Sequence, residues 1–147
     1  AMERLATEGL PLNLAVSLHA PNDNLRRSIM PVADTYTLKN ILTACDRYFD
    51  RTGRKVTFEY ILIKDLNCTL ACADELRHLL GGRNILVNAI PVNDNYDVGL
   101  CRPSQKEIRR FTGYLKEHGI NITLRREMGG NIQAACGQLR IKRMQKQ

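Results

Sequence analysis

Hydrophobic positions along the chain alternate between two kinds of pattern. Short β-branched runs are separated by longer stretches in which apolar residues return every third or fourth position. LNLAVSL (12–18) reads as a strand, and NDNLRRSI (22–29), set between Pro21 and Pro31, as a short helix or turn. TLKNILTACDRYFDRTG (37–53) puts apolar residues at 38, 41, 42, 45, 48 and 49. That is a helical stripe, which Thr37 can cap and Gly53 can end. KVTFEYILI (55–63) has the β-branched and aromatic content of a strand. NCTLACADELRHLLGG (67–82) reads as a helix stopped by a glycine pair, and NILVNAIPV (84–92) as a strand. SQKEIRRFTGYLKEHG (104–119) opens with Ser104 and Glu107 at capping-box spacing and closes on glycine. INITLRR (120–126) is the last strand.

This β-α-β-α-β-α-β order has no internal linker, so the chain reads as one domain over 1–147. It predicts an α/β fold with parallel strands and covering helices. Right-handed crossovers place all strand carboxyl ends at one edge, where ligands bind. The residues brought there are Ser17 to Ala20, the Lys64-Asp65 turn, Pro91 to Asp94, and Arg125-Arg126 onward. Four strands cannot close the usual barrel of eight. The sheet is therefore either small and open or part of a larger barrel.

Composition narrows the function. Of 147 residues, 44% are hydrophobic, enough for a core, but no run approaches the ~18 apolar residues of a membrane helix. The start, AMERLATEGLPLNL, carries charges and lacks a continuous apolar segment, so no signal peptide is expected. Ala1 ahead of Met2 reads as a cloning remnant, and the chain as a piece of a longer protein. Five irregularly spaced cysteines make a poor disulfide framework, which points to a reducing, cytoplasmic setting. A net charge of +7 favours a polyanionic partner, RNA above all. The tail, about 139–147, holds basic residues and no acid. An aromatic content of 5% without tryptophan argues against a base-stacking platform.

Several constellations carry candidate chemistry, each beside a plainer alternative. Cys68 and Cys72 form CTLAC, but a CxxxCxxC cluster motif needs a third cysteine where Glu75 stands, and Cys72 shares a helical stripe with Leu76 and Leu79. The plainer reading makes both cysteines small core or surface residues. Ser17 and His19 alternate at a strand end and should face the same way, either toward a ligand or, for His19, into a satisfied buried site. Glu59 is the one acid within an apolar strand, so it needs a ligand group or a basic partner. Asn93, after the strand that ends through Pro91, can orient a ligand or simply make a turn. Arg125 and Arg126, with Arg140, Lys142 and Arg143 of the tail, can contact phosphates or form a solvated face. Cys136 belongs to no helical or strand pattern. Its neighbours Ala134, Ala135 and Gly137 leave room for close approach to a thiolate, which is a nucleophile and an alkyl acceptor.

SLHAPND-LRRSIMP (17–31), the GR-VTFEY-LI strand (53–63), VN-IP-N (87–93), RPS (102–104) and NI-AACGQL (131–139) occur in this order. Together they resemble the C-terminal half of the bacterial radical S-adenosylmethionine RNA methyltransferases that methylate adenine at C2. The resemblance covers about residues 3 to 141. It implies the C-terminal half of a partial (β/α) barrel, an S-adenosylmethionine cofactor, and 23S ribosomal RNA with some transfer RNAs as substrates. Ser17, Leu18, His19 and Asn93 match positions that contact S-adenosylmethionine. Cys136 matches the cysteine that becomes S-methylated. In that family a radical generated at a [4Fe–4S] cluster takes a hydrogen from the methyl group, and the carbon radical adds to C2. C2 is not nucleophilic, so polar methyl transfer fails there. A second cysteine, from the N-terminal part, resolves the adduct.

The family's CxxxCxxC and its resolving cysteine lie upstream of SLHAPND and have no counterpart in this sequence. The cluster is therefore expected to belong to the full-length parent, unligated by this chain. The isolated chain is expected to be inactive and to self-associate along an exposed sheet edge. Asn131 replaces the family's acidic residue, and the loop NDNYDVGLC (93–101) departs from the Pro- and Gly-rich version. Alternatives are the sister enzyme that methylates adenine C8, a non-catalytic RNA-binding module, and an α/β ligand-binding domain without RNA.

Overall fold

The computed structural model describes residues 2–9 and 11–125. A short helix α1 (Met2–Thr7) precedes strand β1 (Ala15–Ser17), which leads into helices α2 (Asp23–Ile29) and α3 (Leu38–Thr52). Then come β2 (Val56–Leu62), α4 (Leu70–Leu80), β3 (Ile85–Pro91), α5 (Gln105–Glu117) and β4 (Ile122–Leu124). The strands form one sheet in the order β1-β2-β3-β4, and every neighbouring pair is parallel. This is the α/β architecture that the alternating pattern predicts.

Local chemistry sets the helix ends. Thr37 Oγ1 accepts the Asn40 N–H at 3.2 Å to start α3. Gly53 ends it in the left-handed region, at φ 67°, donating its N–H to Phe49 O. Ser104 and Glu107 form the reciprocal capping box of α5. Helix α4 is shorter than the 67–82 pattern implies. Thr69 caps it, because the side chain of Asn67 is engaged elsewhere.

The two faces of the sheet differ. Val56, Phe58, Tyr60 and Leu62 of β2, with Ile85, Val87 and Ala89 of β3 and Ile122 of β4, pack under α3, α4 and α5 in the main core. Among the described residues, the opposite face is covered near the strand carboxyl ends. There Ile61, Ile63, Ile90 and Val92 meet Ala20 and Ile29 in a second, smaller cluster. Below it, Ala15 and Ser17 are exposed, and Thr57, Glu59, Leu86 and Asn88 are half-buried.

Three expectations shift. Strand β1 covers Ala15–Ser17, not 12–18, because His19 takes a left-handed conformation (φ 60°) that turns the chain out of the sheet. Strand β4 is likewise limited to Ile122–Leu124. Helix α1, too short for a periodic signal, packs Met2, Leu5 and Ala6 against the main core. Among the described residues, no helix is long and apolar enough to cross a membrane.

Candidate functional site

The segment after β1 is fixed by side chains that seize its backbone. Arg26, buried on α2, donates from Nη2 to Ser17 O at 3.0 Å and from Nε to Leu18 O at 3.1 Å. Its Nη1 reaches Tyr36 O at 3.1 Å. Asn67, fully buried, donates from Nδ2 to His19 O at 2.8 Å and to Ile61 O at 2.6 Å. Its Oδ1 accepts the Ile63 N–H at 2.8 Å. The carbonyls of Ser17, Leu18 and His19 are thus all taken by buried donors. A guanidinium fork and a primary amide suit this, since each offers several N–H groups in fixed geometry.

His19 departs from the alternation argument. It does not share a face with Ser17. Ser17 is exposed, whereas His19 is buried, because the left-handed backbone at 19 breaks the period of two. Its Nδ1 accepts the Ile61 N–H at 3.0 Å. Burial, and secondarily the Arg26 charge, lower its pKa to about 4. The ring is therefore neutral at pH 7, and with Nδ1 accepting, its proton lies on Nε2. Leu18 belongs to the main core and presents only backbone.

On the uncovered face, parallel register aligns Ser17 with Glu59, Glu59 with Asn88, and Asn88 with Thr123. One polar row therefore crosses all four strands, with neighbours about 4.8 Å apart. Thr123 Oγ1 donates to Asn88 Oδ1 at 2.7 Å. Asn93 follows β3 at the same edge of the sheet and is half-buried. Arg125, exposed, sits just past β4, with its backbone N–H on Ala89 O at 2.8 Å. Ser17, Glu59 and Asn88 thus share one face, with Asn93 and Arg125 at the strand ends beside it.

Of the described cysteines, Cys45, Cys68 and Cys72 are buried and Cys101 is half-buried. Cys68 and Cys72 are buried in the main core. Burial, aided by Glu107 and Cys72, pushes the Cys68 thiol up to about 12, and burial raises that of Cys72. Neither is a thiolate at neutral pH. Among the described residues, no three His, Cys, Asp or Glu side chains gather as a metal site. Cys136, Arg126, Arg140, Lys142, Arg143 and Asn131 lie outside the described residues.

A cavity of about 510 Å³ lined by Leu42, Asp46, Phe49, Arg83 and Asn84 opens at the other end, where β2 and β3 begin. An Arg83–Asp46 ion pair spans it. That end of an α/β sheet serves stability rather than ligand binding.

Reading the sequence residue by residue misses Arg26, Asn67, Asn88 and Thr123. Asn88 had a usable signal, as the one polar side chain within the apolar stretch ILVNAIPV that follows Asn84. Arg26 and Asn67 had none, since arginine on a short helix and asparagine before a helix are ordinary on a surface.

Comparison with known proteins places this geometry. The chain is 51% identical over 139 residues to the probable dual-specificity RNA methyltransferase RlmN of Lachnoclostridium phytofermentans, covering 95% of this chain and 39% of that protein. It is 49% identical over 144 residues to the protein of the same name from Alkaliphilus oremlandii, covering 98% of this chain and 42% of that protein. The chain thus spans between 39% and 42% of the length of these curated relatives. Among solved structures, a radical SAM methyltransferase from Sphaerobacter thermophilus matches with a TM-score of 0.86 at 47% identity, over 96% of this chain and 41% of that one. A domain of pyruvate-formate lyase-activating enzyme from Bacteroides vulgatus shares the fold, with a TM-score of 0.64 at 14% identity over 88% of this chain and 73% of that one. No family model matches the chain.

Proposed function

This chain belongs to the radical S-adenosylmethionine RNA methyltransferases as a segment of that family's sequence, and from that premise we propose that it is the C-terminal part of an enzyme methylating adenine C2 in 23S ribosomal RNA and in transfer RNA. The observation that carries the proposal is the pairing of SLHAPND with AACGQL in a chain 51% identical to a relative named as a dual-specificity RNA methyltransferase.

Ser17, Leu18, His19 and Asn93 are assigned to S-adenosylmethionine. The clamped carbonyls support this assignment. With its backbone acceptors tied inward by Arg26 and Asn67, the segment leaves the Ser17 hydroxyl exposed on the uncovered face. The proton on His19 Nε2 adds a neutral donor. The residues fit a ligand rich in polar groups and bearing positive charge, because no lysine or arginine stands in the polar row.

Cys136 is assigned the methyl carrier. With S-adenosylmethionine bound, its thiolate would accept the sulfonium methyl group, the new C–S bond forming as the old one breaks, so that Cys136 would hold the methyl as a thioether and the cofactor would leave as a neutral thioether. Bound S-adenosylmethionine and a [4Fe–4S] cluster supply the one-electron chemistry that C2 requires. The described residues do not fit the cluster, since Cys68 and Cys72 are core thiols, so no cluster step is assigned to them. The chain alone is accordingly expected to be inactive. Arg125, Arg126, Arg140, Lys142 and Arg143 are assigned to RNA phosphates, with cytoplasmic ribosomal RNA as partner.

The test uses the full-length parent with its cluster. Cys136→Ala should abolish RNA methylation while S-adenosylmethionine still binds, and mass analysis of digested RNA should place the wild-type methyl group on C2. Retained methylation in the variant would overturn the carrier role. A methyl group on C8 would instead identify the sister activity.

A further inference from the structure

Glu59 stands where a sheet does not favour it. It lies in the middle of β2, half-buried, on the face that the helices leave open. Strand interiors disfavour glutamate, and a carboxylate that loses water needs donors to replace it. Among the described residues, no hydrogen bond or ion pair reaches this carboxylate. Its register neighbours are Ser17 on one side and Asn88 on the other. Within the strands, its other described neighbours on this face, Ala15, Thr57, Leu86, Ile61, Ile90 and Thr123, are all neutral, and Arg125 stands past β4, two strands away. Asn88 is already oriented: Thr123 occupies its Oδ1, which leaves the Nδ2 hydrogens to donate.

We infer that Glu59, flanked by Ser17 and Asn88, is a ligand-contact residue that accepts hydrogen bonds from a pair of donors on S-adenosylmethionine. This rests on the assignment of Ser17 in the preceding section. A carboxylate has two oxygens and suits a ligand group that presents two hydrogens together. S-adenosylmethionine has three such groups, the vicinal ribose hydroxyls, the adenine amine and the α-ammonium. An acidic side chain is a known solution for ribose hydroxyls in nucleotide-binding sheets. The positive charge of the sulfonium adds to the attraction in each case. A residue kept unpartnered for a ligand has a second consequence. Removing its charge should not harm the fold, because nothing in the fold uses it.

The experiment is Glu59→Gln in the full-length parent with its cluster, with S-adenosylmethionine affinity measured by equilibrium binding and stability by thermal melting. The expected result is a Kd raised about tenfold or more, with a melting temperature unchanged or higher. Glu59→Asp, which keeps the charge on a shorter stem, should recover part of the affinity. Two fragments separate the donors. Loss of 5′-methylthioadenosine binding assigns the nucleoside donors, with the 2′,3′-dideoxy analogue separating the hydroxyl pair from the adenine amine, and loss of methionine binding assigns the ammonium. Asn93→Ala runs in parallel. If it weakens binding while Glu59→Gln leaves Kd unchanged, the inference is overturned and the site assignment stands. If neither variant changes Kd, the site assignment fails as well. An unchanged Kd with a lowered melting temperature shows that Glu59 is a structural partner, and a loss confined to RNA binding shows that it faces RNA. Both overturn the inference.

Discussion

Asn67→Ala removes the one side chain that ties the turn after β1 to the turn after β2. The amide makes three hydrogen bonds: from Ile63 N–H at 2.8 Å, to His19 O at 2.8 Å and to Ile61 O at 2.6 Å. A neutral hydrogen bond contributes about 1 kcal/mol net, and a buried donor left without a partner costs about 1–3 kcal/mol. Ile63 is 1% exposed, so its N–H has no access to replacement water. The sum is about 4 kcal/mol, a large share of the ~5–15 kcal/mol of a typical domain. Urea unfolding of the 147-residue chain, followed by circular dichroism at pH 7, should show the midpoint falling by about 2 M with little change in slope. Asn67→Asp is the sharper control. It keeps an acceptor for Ile63 N–H but turns a second acceptor onto the carbonyls of His19 and Ile61. Ionised at pH 7, it should be at least as damaging as alanine. Facing those carbonyls in a buried site, its carboxyl should have a folded-state pKa above the ordinary ~3.9. Its penalty should therefore shrink as pH falls through that raised value, where protonation restores one donor. A cost under about 1 kcal/mol for Asn67→Ala, or wild-type stability for Asn67→Asp at pH 7, would refute the clamp.

Other consequences follow from the same geometry. Burial holds the folded pKa of His19 at about 4, below its unfolded value of 6.5, so the unfolded chain binds more protons between them. Its stabilising share is full above pH 6.5 and is lost on acidification toward pH 4, by up to ~1.4 kcal/mol per pH unit. His19→Asn tolerates the positive φ and can accept from Ile61 N–H, so it should flatten the fall of the urea midpoint in that window; an unaltered fall would assign it to other groups. Gly53→Ala forces a side chain into the left-handed cap at φ 67° and should cost about 1 kcal/mol in the same unfolding assay, whereas no change would contradict the cap. Strand β1 is an open edge, so sedimentation velocity at rising concentration should show dimers that Ala15→Lys suppresses; a strict monomer at high concentration would exclude edge pairing.

What the sequence disclosed and what it hid separate along physical lines. Helices α3 and α5 were legible because their amphipathic stripes run for several turns and their caps are local, with Thr37, Gly53, Ser104 and Glu107 doing what their spacing implies. The parallel sheet and its covering helices followed from alternation. Strand length did not. β1 stops at Ser17 because of a backbone conformation at His19, and histidine carries no glycine-like mark of a positive φ. The same conformation defeated the argument that Ser17 and His19 share a face. Glu59 was visible as an anomaly, but its neighbours were not, because Ser17, Asn88 and Thr123 come from three other strands and only register joins them.

Register and clamping also explain why the SLHAPND-LRRSIMP motif is so long. The proposed S-adenosylmethionine triplet needs only residues 17 to 19. The rest of the motif builds the hand that holds them. Asn22 accepts Leu25 N–H at 2.8 Å to start α2, and Asp23 accepts Leu38 N–H at 2.9 Å to fix the entry to α3. The helix so placed carries Arg26 back onto the carbonyls of Ser17 and Leu18. Ile29, on the same helix, joins Ile61 and Ile90 over the end of the open face. The strand edge is thus held by groups that touch backbone, and Ser17 and Glu59 on the open face make few side-chain contacts among the described residues. Damage to Arg26 or Asn67 should therefore appear first as lost stability, and damage to Glu59 as lost affinity without it. That contrast separates the scaffold of this site from the surface it presents.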